Sequence, residues 1–337
     1  MILVTGATGI LGRVIVLELL KRGKTVRATK RKSSNLEEVK SSFRFYAENP
    51  SEYFEKINWI DVDFDNLNSL EKALDGVEEV YHCAAKVSFH PNDEKKMYHT
   101  NILGTTQLLY ACENSSVKKF LFVSSIAVLD GFNENGELDE SSDFNPKVDH
   151  SSYAISKHFS EMEVWRASAE GLNVAIVNPG LIIGSGNWNE SSGTLFKELG
   201  ENAYTFSGGT SYVDVRDVAK ISVELMENNI FGERFILISE NKKYEEIANF
   251  IKQKLGKPAT KIVPNGLLKV GVFLNAILGW LISPLKMANK VNVQSVTEFN
   301  KISNKKIKEK LNYQFISVEE SLAFHLENYI KRKEVGS

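Results

Sequence analysis

The first half of the chain alternates short apolar runs with stretches of helical periodicity. Ile2–Val4 is a β-branched run that reads as a strand, and Leu11–Arg22 carries apolar residues at helical spacing up to Gly23, placed as a C-terminal cap. Thr25–Thr29, Asn58–Asp63, Glu79–Ala84, Lys119–Ser125 and Asn173–Asn178 read as further strands. Helical patterns fall between them over Ser69–Leu74, closed by Gly76, over Tyr98–Asn114, and over Ser152–Glu170, closed by Gly171. This alternation predicts right-handed βαβ units and an α/β, doubly wound parallel sheet, which takes ligands at the carboxyl ends of its strands.

After Pro179 the rhythm breaks. Residues 181–212, rich in Gly, Ser, Asn and aromatics, read as substrate loops rather than core. Val213–Met226 resumes as a strand end and a helix, and Phe235–Ser239 as a strand. From residue 240 the pattern is mostly helical, to a last helix around Val318–Tyr329. The Lys301–Lys310 charge run reads as a solvated helix face. Gly266–Leu285 is apolar except for Lys269, Asn275 and Ser283, and Pro284 interrupts it. That length sits at the threshold for a spanning helix, with a lysine inside. It reads as a buried helix walling an apolar pocket, and membrane contact through 266–285 is left open.

Thr5-Gly6-Ala7-Thr8-Gly9-Ile10-Leu11-Gly12 lies between the first strand and the first helix. Gly6 permits the tight turn, Gly9 lets the backbone approach a pyrophosphate, and Gly12 allows close helix–strand contact. The helix N-terminus offers its amides and positive dipole end to the phosphates, so Gly6, Thr8, Gly9, Ile10, Leu11 and Gly12 are the expected cradle of a dinucleotide. The second strand ends in Arg27-Ala28-Thr29-Lys30-Arg31-Lys32-Ser33-Ser34, with no acid until Glu37. An NAD site usually places an acid here for the ribose 2′-hydroxyl, whereas Arg31 and Lys32 would neutralise a 2′-phosphate. NADP is therefore expected, with NAD as the alternative. Asp63 and Phe64, just past the third strand, are placed to contact adenine.

Tyr153 and Lys157 stand at i and i+4 on one helix face. A lysine cation favours the phenolate and should lower the tyrosine pKa, letting Tyr153 trade a proton with a substrate oxygen. Ser125, at the end of the fifth strand, can bond the same oxygen.

With these residues in place, the chain resembles an extended short-chain dehydrogenase/reductase, the family also labelled NAD-dependent epimerase/dehydratase. The likeness rests on the Thr-Gly-x-x-Gly-x-x-Gly loop, Asp63, His82-Cys83-Ala84-Ala85, Asn101-x-x-Gly104-Thr105, Ser124-Ser125, Tyr153/Lys157 and Asn178-Pro179-Gly180. It implies a catalytic set of Ser125, Tyr153 and Lys157, with Asn101 helping to hold the site and Lys157 bonding the nicotinamide ribose. It also implies cofactor contacts at Ala84, Ala85, Lys86, Tyr153, Pro179, Gly180 and Leu181. Val26-Arg27-Ala28-Thr29-x-Arg31 and Val213-Asp214-Val215-Arg216-Asp217 are similar to the dihydroflavonol-reductase-like and 3β-hydroxysteroid-dehydrogenase-like branches. Nucleotide-sugar members usually grip the diphosphate with an arginine at the place of Thr210, yet no Arg lies between Arg166 and Arg216. Relatives often pair through the two helices that match Tyr98–Asn114 and Ser152–Glu170, which implies a homodimer.

The expected architecture is a Rossmann domain over 1–178 and 211–239, with a smaller, mostly helical substrate domain over 179–210 and 240–337. The expected function is hydride transfer between NADP(H) and a carbonyl or secondary alcohol of a small apolar substrate. Phe89, Trp188, Tyr204, Phe206 and Tyr212 are expected to face that substrate. A nucleotide-sugar epimerase or dehydratase with retained NAD is one alternative, and a non-catalytic nucleotide-sensing protein is another.

Composition narrows the classes further. The 337 residues carry 41 Lys+Arg against 43 Asp+Glu, spread along the chain, which gives no footprint for nucleic acid. Cys83 and Cys112 are too few for a disulfide framework and suit a reducing compartment. The opening residues lack the pattern of an export signal, so a cytoplasmic location is expected. The six histidines show no paired i, i+4 spacing with a nearby carboxylate, and no metal site is expected. His82 is expected beneath the cofactor and the others at the surface, with His150 close enough to Tyr153 to reach a substrate.

Overall fold

Seven of the apolar runs assemble into one parallel sheet in the computed structural model, which describes residues 1–188, 191–278 and 282–335. The strands are β1 (Ile2–Thr5), β2 (Val26–Lys30), β3 (Asn58–Asp61), β4 (Glu79–His82), β5 (Lys119–Val123), β6 (Asn173–Pro179), β7 (Leu181–Ile183), β8 (Tyr204–Thr205), β9 (Gly209–Asp214), β10 (Glu233–Leu237), β11 (Glu240–Lys243) and β12 (Lys261–Ile262). The main sheet runs β10-β6-β5-β4-β1-β2-β3. Its central strands are apolar on both faces because helices cover both, as a parallel sheet requires. On one face Val14 and Leu17 of helix Ile10–Lys21 meet Val218 and Ile221 of helix Val215–Glu227. On the other, Leu70, Leu108, Leu109 and Val164 pack from three helices. The strand order reverses between β1 and β4, in register from Ile2↔Glu79 to Thr5↔His82, and the crevice there is where such sheets bind ligands.

The helix expected over Tyr98–Asn114 is not uniform. An α-helical turn at Glu94–Met97 opens into a π-helical stretch, Tyr98–Leu103, before Gly104–Glu113 continues as α-helix. The Asn101 carbonyl accepts from the Thr105 hydroxyl at 2.5 Å and the Ser160 hydroxyl at 2.7 Å, side-chain donors that accompany the widened turn.

Residues 181–212 correct the loop reading. They supply β7, β8, β9 and helix Leu195–Glu201, and Ile183, Phe196 and Tyr212 are buried in a second core with Ile247, Ile251, Leu322 and Leu326. The glycines serve close approach here rather than flexibility. A Cβ on Gly180 would lie 2.9 Å from the Ser211 carbonyl carbon, and one on Gly209 would lie 2.8 Å from the Lys243 Cα.

The apolar run at 266–285 also departs from expectation. Helix Asn265–Leu278 has no buried residue, and no described helix is long and apolar enough to cross a membrane. It leans on the segment that follows, with Gly271 against Ala288, and turns its other flank outward. The Lys301–Lys310 run is not wholly solvated: Lys306 and Lys310 both reach Glu233 at 3.0 Å.

Candidate active site

Helix Ile10–Lys21 starts at Gly9 with no side chain capping it and no acid in its first turn, so its positive end faces the crevice uncompensated. Gly6 holds φ +65°, and a Cβ there would meet the Ala84 nitrogen at 2.6 Å across the switch point. A Cβ on Gly12 would run into the Gly6 carbonyl. Glycine is thus required for turn and for space, and the cradle fits a dinucleotide pyrophosphate.

Arg13 completes this loop and was not legible as a site residue. It is buried, donates to both Glu38 carboxylate oxygens at 2.8 Å and to the Gly9 carbonyl at 3.2 Å, and also bonds the Thr8 carbonyl. Its only available signal was an arginine placed directly after the last glycine of the loop, at the start of an apolar helix.

At the adenosine end, Arg31 and Lys32 lie exposed past β2, with no ion pair among the described residues. Lys30 is held by Asp61 at 2.6 Å. Asp63 is exposed past β3, its carboxylate accepting from the Asp65 amide. Phe64 stacks on His82 with centroids 6.1 Å apart.

Past β4, the half-buried Cys83, Ala84 and Lys86 and the exposed Ala85 line the same rim. Asn101 is buried there. Its side chain accepts from the Lys86 amide at 2.7 Å and donates to the Lys86 carbonyl and to the Ser156 hydroxyl, both at 2.9 Å. His82 links this turn to the phosphate loop. Its Nδ1 lies 2.6 Å from the Thr5 hydroxyl and its Nε2 lies 2.9 Å from that of Thr105. Burial, helped by the Lys157 charge, pushes its pKa down to about 3, so it is a neutral bridge.

Helix Ser152–Ala169, capped by the Ser151 hydroxyl on the Ala154 amide, carries Tyr153 and Lys157 one turn apart. Ser125 begins the short turn Ile126–Val128 and bonds the Tyr153 side chain. The electrostatics differ from the expectation that lysine lowers the phenol. Burial raises Tyr153, and the Ser125 bond opposes it only in part. Lys157 instead donates to the Val123 carbonyl at 2.6 Å and lies over the Phe122 ring at 4.2 Å. Its burial brings it down to about 8. Tyr153 is therefore a protonated phenol at neutral pH, suited to give a proton to a substrate oxygen.

Glu161, one turn beyond Lys157, was missed, although i+4 spacing from Lys157 puts it on the same face. It is buried, accepts from Ser124 at 2.5 Å and from Asn178 at 3.1 Å, and faces Arg234 at 3.3 Å. Its charge favours the Lys157 ammonium against burial. Pro179 ends β6 next to this network, Gly180 follows it, and Leu181 opens β7.

A hollow of about 350 Å³ opens beside the phenol, lined by Ser88–Pro91, Met97, His150–Ser152 and Asn289–Asn292. Phe89 stands edge-on to Tyr153 at 6.1 Å and lines this hollow. The other expected aromatics are elsewhere: Tyr212 is core, Trp188 packs on Phe45, Phe196 and Tyr329, and Tyr204 is exposed. On this side the wall comes from 289–292 rather than from 181–212 or the apolar run at 266–285. His150 does line the hollow. His325 is no surface residue: it is buried between Ser185 at 2.6 Å and Asp214 at 3.2 Å. Among the described residues no cluster of His, Cys, Asp and Glu could hold a metal ion.

The family model for NAD dependent epimerase/dehydratases matches residues 2–237, most of the chain. The chain belongs to the NAD-dependent epimerase/dehydratase family. It is 29% identical over 277 residues to sterol demethylase protein B of Methylococcus capsulatus, covering 81% of this chain and 80% of that one. Dihydroflavonol 4-reductase of Gerbera hybrida is 27% identical over 267 residues, covering 74% and 71%. The solved structure of gox2253 shares the fold, with a TM-score of 0.83 at 24% identity over 98% of each chain. Membership makes this an NAD(P)-dependent short-chain dehydrogenase/reductase-type enzyme, from a family of reductases, epimerases and dehydratases. A nicotinamide cofactor supplies hydride chemistry to such enzymes, while the protein supplies binding, orientation and protons.

Proposed function

We propose that this protein is an NADP(H)-dependent oxidoreductase that transfers a hydride between the nicotinamide and a carbonyl or secondary alcohol of a small apolar substrate. The observation that carries the reading is the meeting of Ser125 and a protonated Tyr153 beside a hollow fronted by Phe89. Ser125 and Tyr153 hold the substrate oxygen, and the phenol gives it a proton in the reducing direction. Lys157 and Asn101 position the site. The relatives support this direction, one being named a reductase and one a sterol demethylase protein.

The 2′-phosphate preference is supported by the charges at the end of β2. Glu38 is occupied by Arg13 and Asp61 by Lys30, leaving Arg31 and Lys32 outward. A sugar diphosphate is disfavoured by Thr210, which pairs with Lys242 on β11, itself tied to Glu240 at 2.9 Å. Residues 1–178 and 211–239 are assigned to the cofactor and 179–210 and 240–337 to the substrate. Free Cys83 and Cys112 support work in a reducing compartment.

The test is NADPH oxidation against a panel of apolar ketones. Tyr153→Phe should lose roughly 10²–10⁴-fold in turnover while keeping the melting shift that NADPH gives. Near-normal turnover of that variant would overturn the mechanism. A melting shift with UDP- or GDP-sugars, without any NADPH oxidation, would hand the chain to the epimerases.

A further inference from the structure

Helix Asn265–Leu278 presents Leu267, Val270, Phe273 and Leu274 to solvent, with Leu267 62% and Phe273 64% exposed. At 3.6 residues per turn these four fall within roughly 120° of arc, a continuous apolar stripe. Exposed side chains continue the surface at Ile262 before the helix and at Ile282 and Met287 after it. The charges along this stretch of chain are of one sign. Between Glu246 and Glu298 the chain has no acidic residue and seven lysines, although the whole protein carries a net charge of -2. Lys261 and Lys269 are exposed without an ion pair among the described residues, Lys286 reaches only Asn92, and Lys290 faces the exposed Asp149.

We propose that this helix docks the protein on the surface of an anionic lipid bilayer, apolar stripe in the interface and lysines toward the headgroups. The described helix does not span: its 14 residues make about 21 Å, short of the roughly 30 Å hydrocarbon core. A second copy of the chain fits less well. A two-fold contact sets a patch against itself, and here it would bring one lysine-rich surface onto another.

The docking face is rooted at the candidate active site. Directly after it, Lys286 donates to Asn92 at 3.2 Å and Asn292 donates to the Phe89 carbonyl at 3.0 Å. Phe89 in turn fronts Tyr153, and Asn289–Asn292 line the hollow. Given the oxidoreductase reading above, on which this clause rests, the substrate is an apolar ketone or alcohol dissolved in the bilayer that enters from the lipid side.

The experiment is co-sedimentation of the full chain with phosphatidylcholine vesicles, with and without phosphatidylglycerol, at low and high salt. The expected result is binding that needs phosphatidylglycerol and weakens with salt. Val270→Glu with Phe273→Glu should weaken it more than about tenfold, and Lys269→Glu about tenfold. These exposed positions should leave the melting shift with NADPH and the mass in solution unchanged. Absence of binding to the anionic vesicles, or equal binding by wild type and both variants, would overturn the proposal. So would a change of oligomeric state in the Val270/Phe273 variant, which would make the stripe a protein interface. Sedimentation requires no turnover, so a failure here and a failure of the oxidoreductase reading are separate outcomes.

Discussion

Lys157 is held by two neutral contacts, the Val123 carbonyl and the Phe122 ring, and by the more distant charge of Glu161. Burial dominates and takes it from 10.5 down to about 8. Because the folded value is the lower one, its contribution to stability is fully present above pH 10.5 and is lost as the pH falls through about 8. Its functional use runs the opposite way, since the cation exists below that pH. In NADPH-dependent reduction, kcat/KM should therefore fall as the pH rises through about 8. Glu161→Gln removes a group that favours the cation, so it should move this limb to lower pH. A profile that stays flat well above pH 8, or a limb that Glu161→Gln leaves in place, would contradict the assignment. Arg31 carries the cofactor preference in the same local fashion. Arg31→Ala should weaken NADPH binding by roughly ten- to a hundredfold, the worth of a charge-assisted bond, while NADH binding holds. Equal losses for both cofactors would remove Arg31 from the 2′-phosphate. At this scale the sequence reveals what local spacing encodes: the glycines, Tyr153 with Lys157, and Ser125 at a strand end. Arg13, Glu161 and His325 stayed hidden because their partners are distant, Glu38 by 25 positions, Ser124 by 37 and Asp214 by 111.

Among elements, those whose period and boundaries agree are read correctly from the chain. The central strands β1, β4, β5 and β6 fall where the apolar runs lie, because burial on both faces makes those runs nearly continuous. Elements that depend on tertiary partners are read poorly. The π-helical stretch Tyr98–Leu103 accompanies hydroxyls of Thr105 and Ser160 that the periodicity of its own residues does not announce. Strand β7 directly follows Gly180 and β9 opens on Gly209, and both form where those glycines admit neighbouring backbone. The Gly-, Ser- and Asn-rich stretches between them give 181–212 the composition of a loop, and that hides two strands whose own residues favour β-structure. Helix Asn265–Leu278 fails in the opposite sense. Its composition is that of a core helix, yet only one flank meets the rest of the fold. The C-terminal helix Val318–Val335 is anchored by buried polar contacts, Ser321 and His325 on Asp214, which no hydrophobic pattern reports. Arg216 and His325 outweigh burial there and hold the Asp214 carboxyl below the usual range.

At the scale of the molecule, two exposed apolar helix surfaces among the described residues can be told apart by their charges. The first is the outer face of the paired helices Gly104–Glu113 and Ser152–Ala169, where Tyr110 meets solvent beside Ile155, Phe159 and Met162 at i, i+4 and i+7. Its flanking charges are mixed, with Arg166 tied to Glu113, Glu163 and Glu170 and lying over the Tyr110 ring. A mixed rim around an apolar centre suits a protein partner, and a two-fold axis can satisfy both signs at once. The second surface, at helix Asn265–Leu278, lies in a stretch of chain whose only charges are lysines, and it suits lipid. Family resemblance puts the subunit contact on the first pair, and the surface chemistry agrees with that choice. The 37.8 kDa chain should therefore sediment as a dimer of twice that mass. Phe159→Glu with Met162→Glu should leave a monomer, because each charge would be buried against its own copy across the axis. Val270→Glu with Phe273→Glu should leave the dimer intact. If the wild type sediments as a monomer at micromolar concentration, the first surface is no subunit contact; if the second pair of substitutions dissociates the dimer instead, the two surfaces have been assigned the wrong way round.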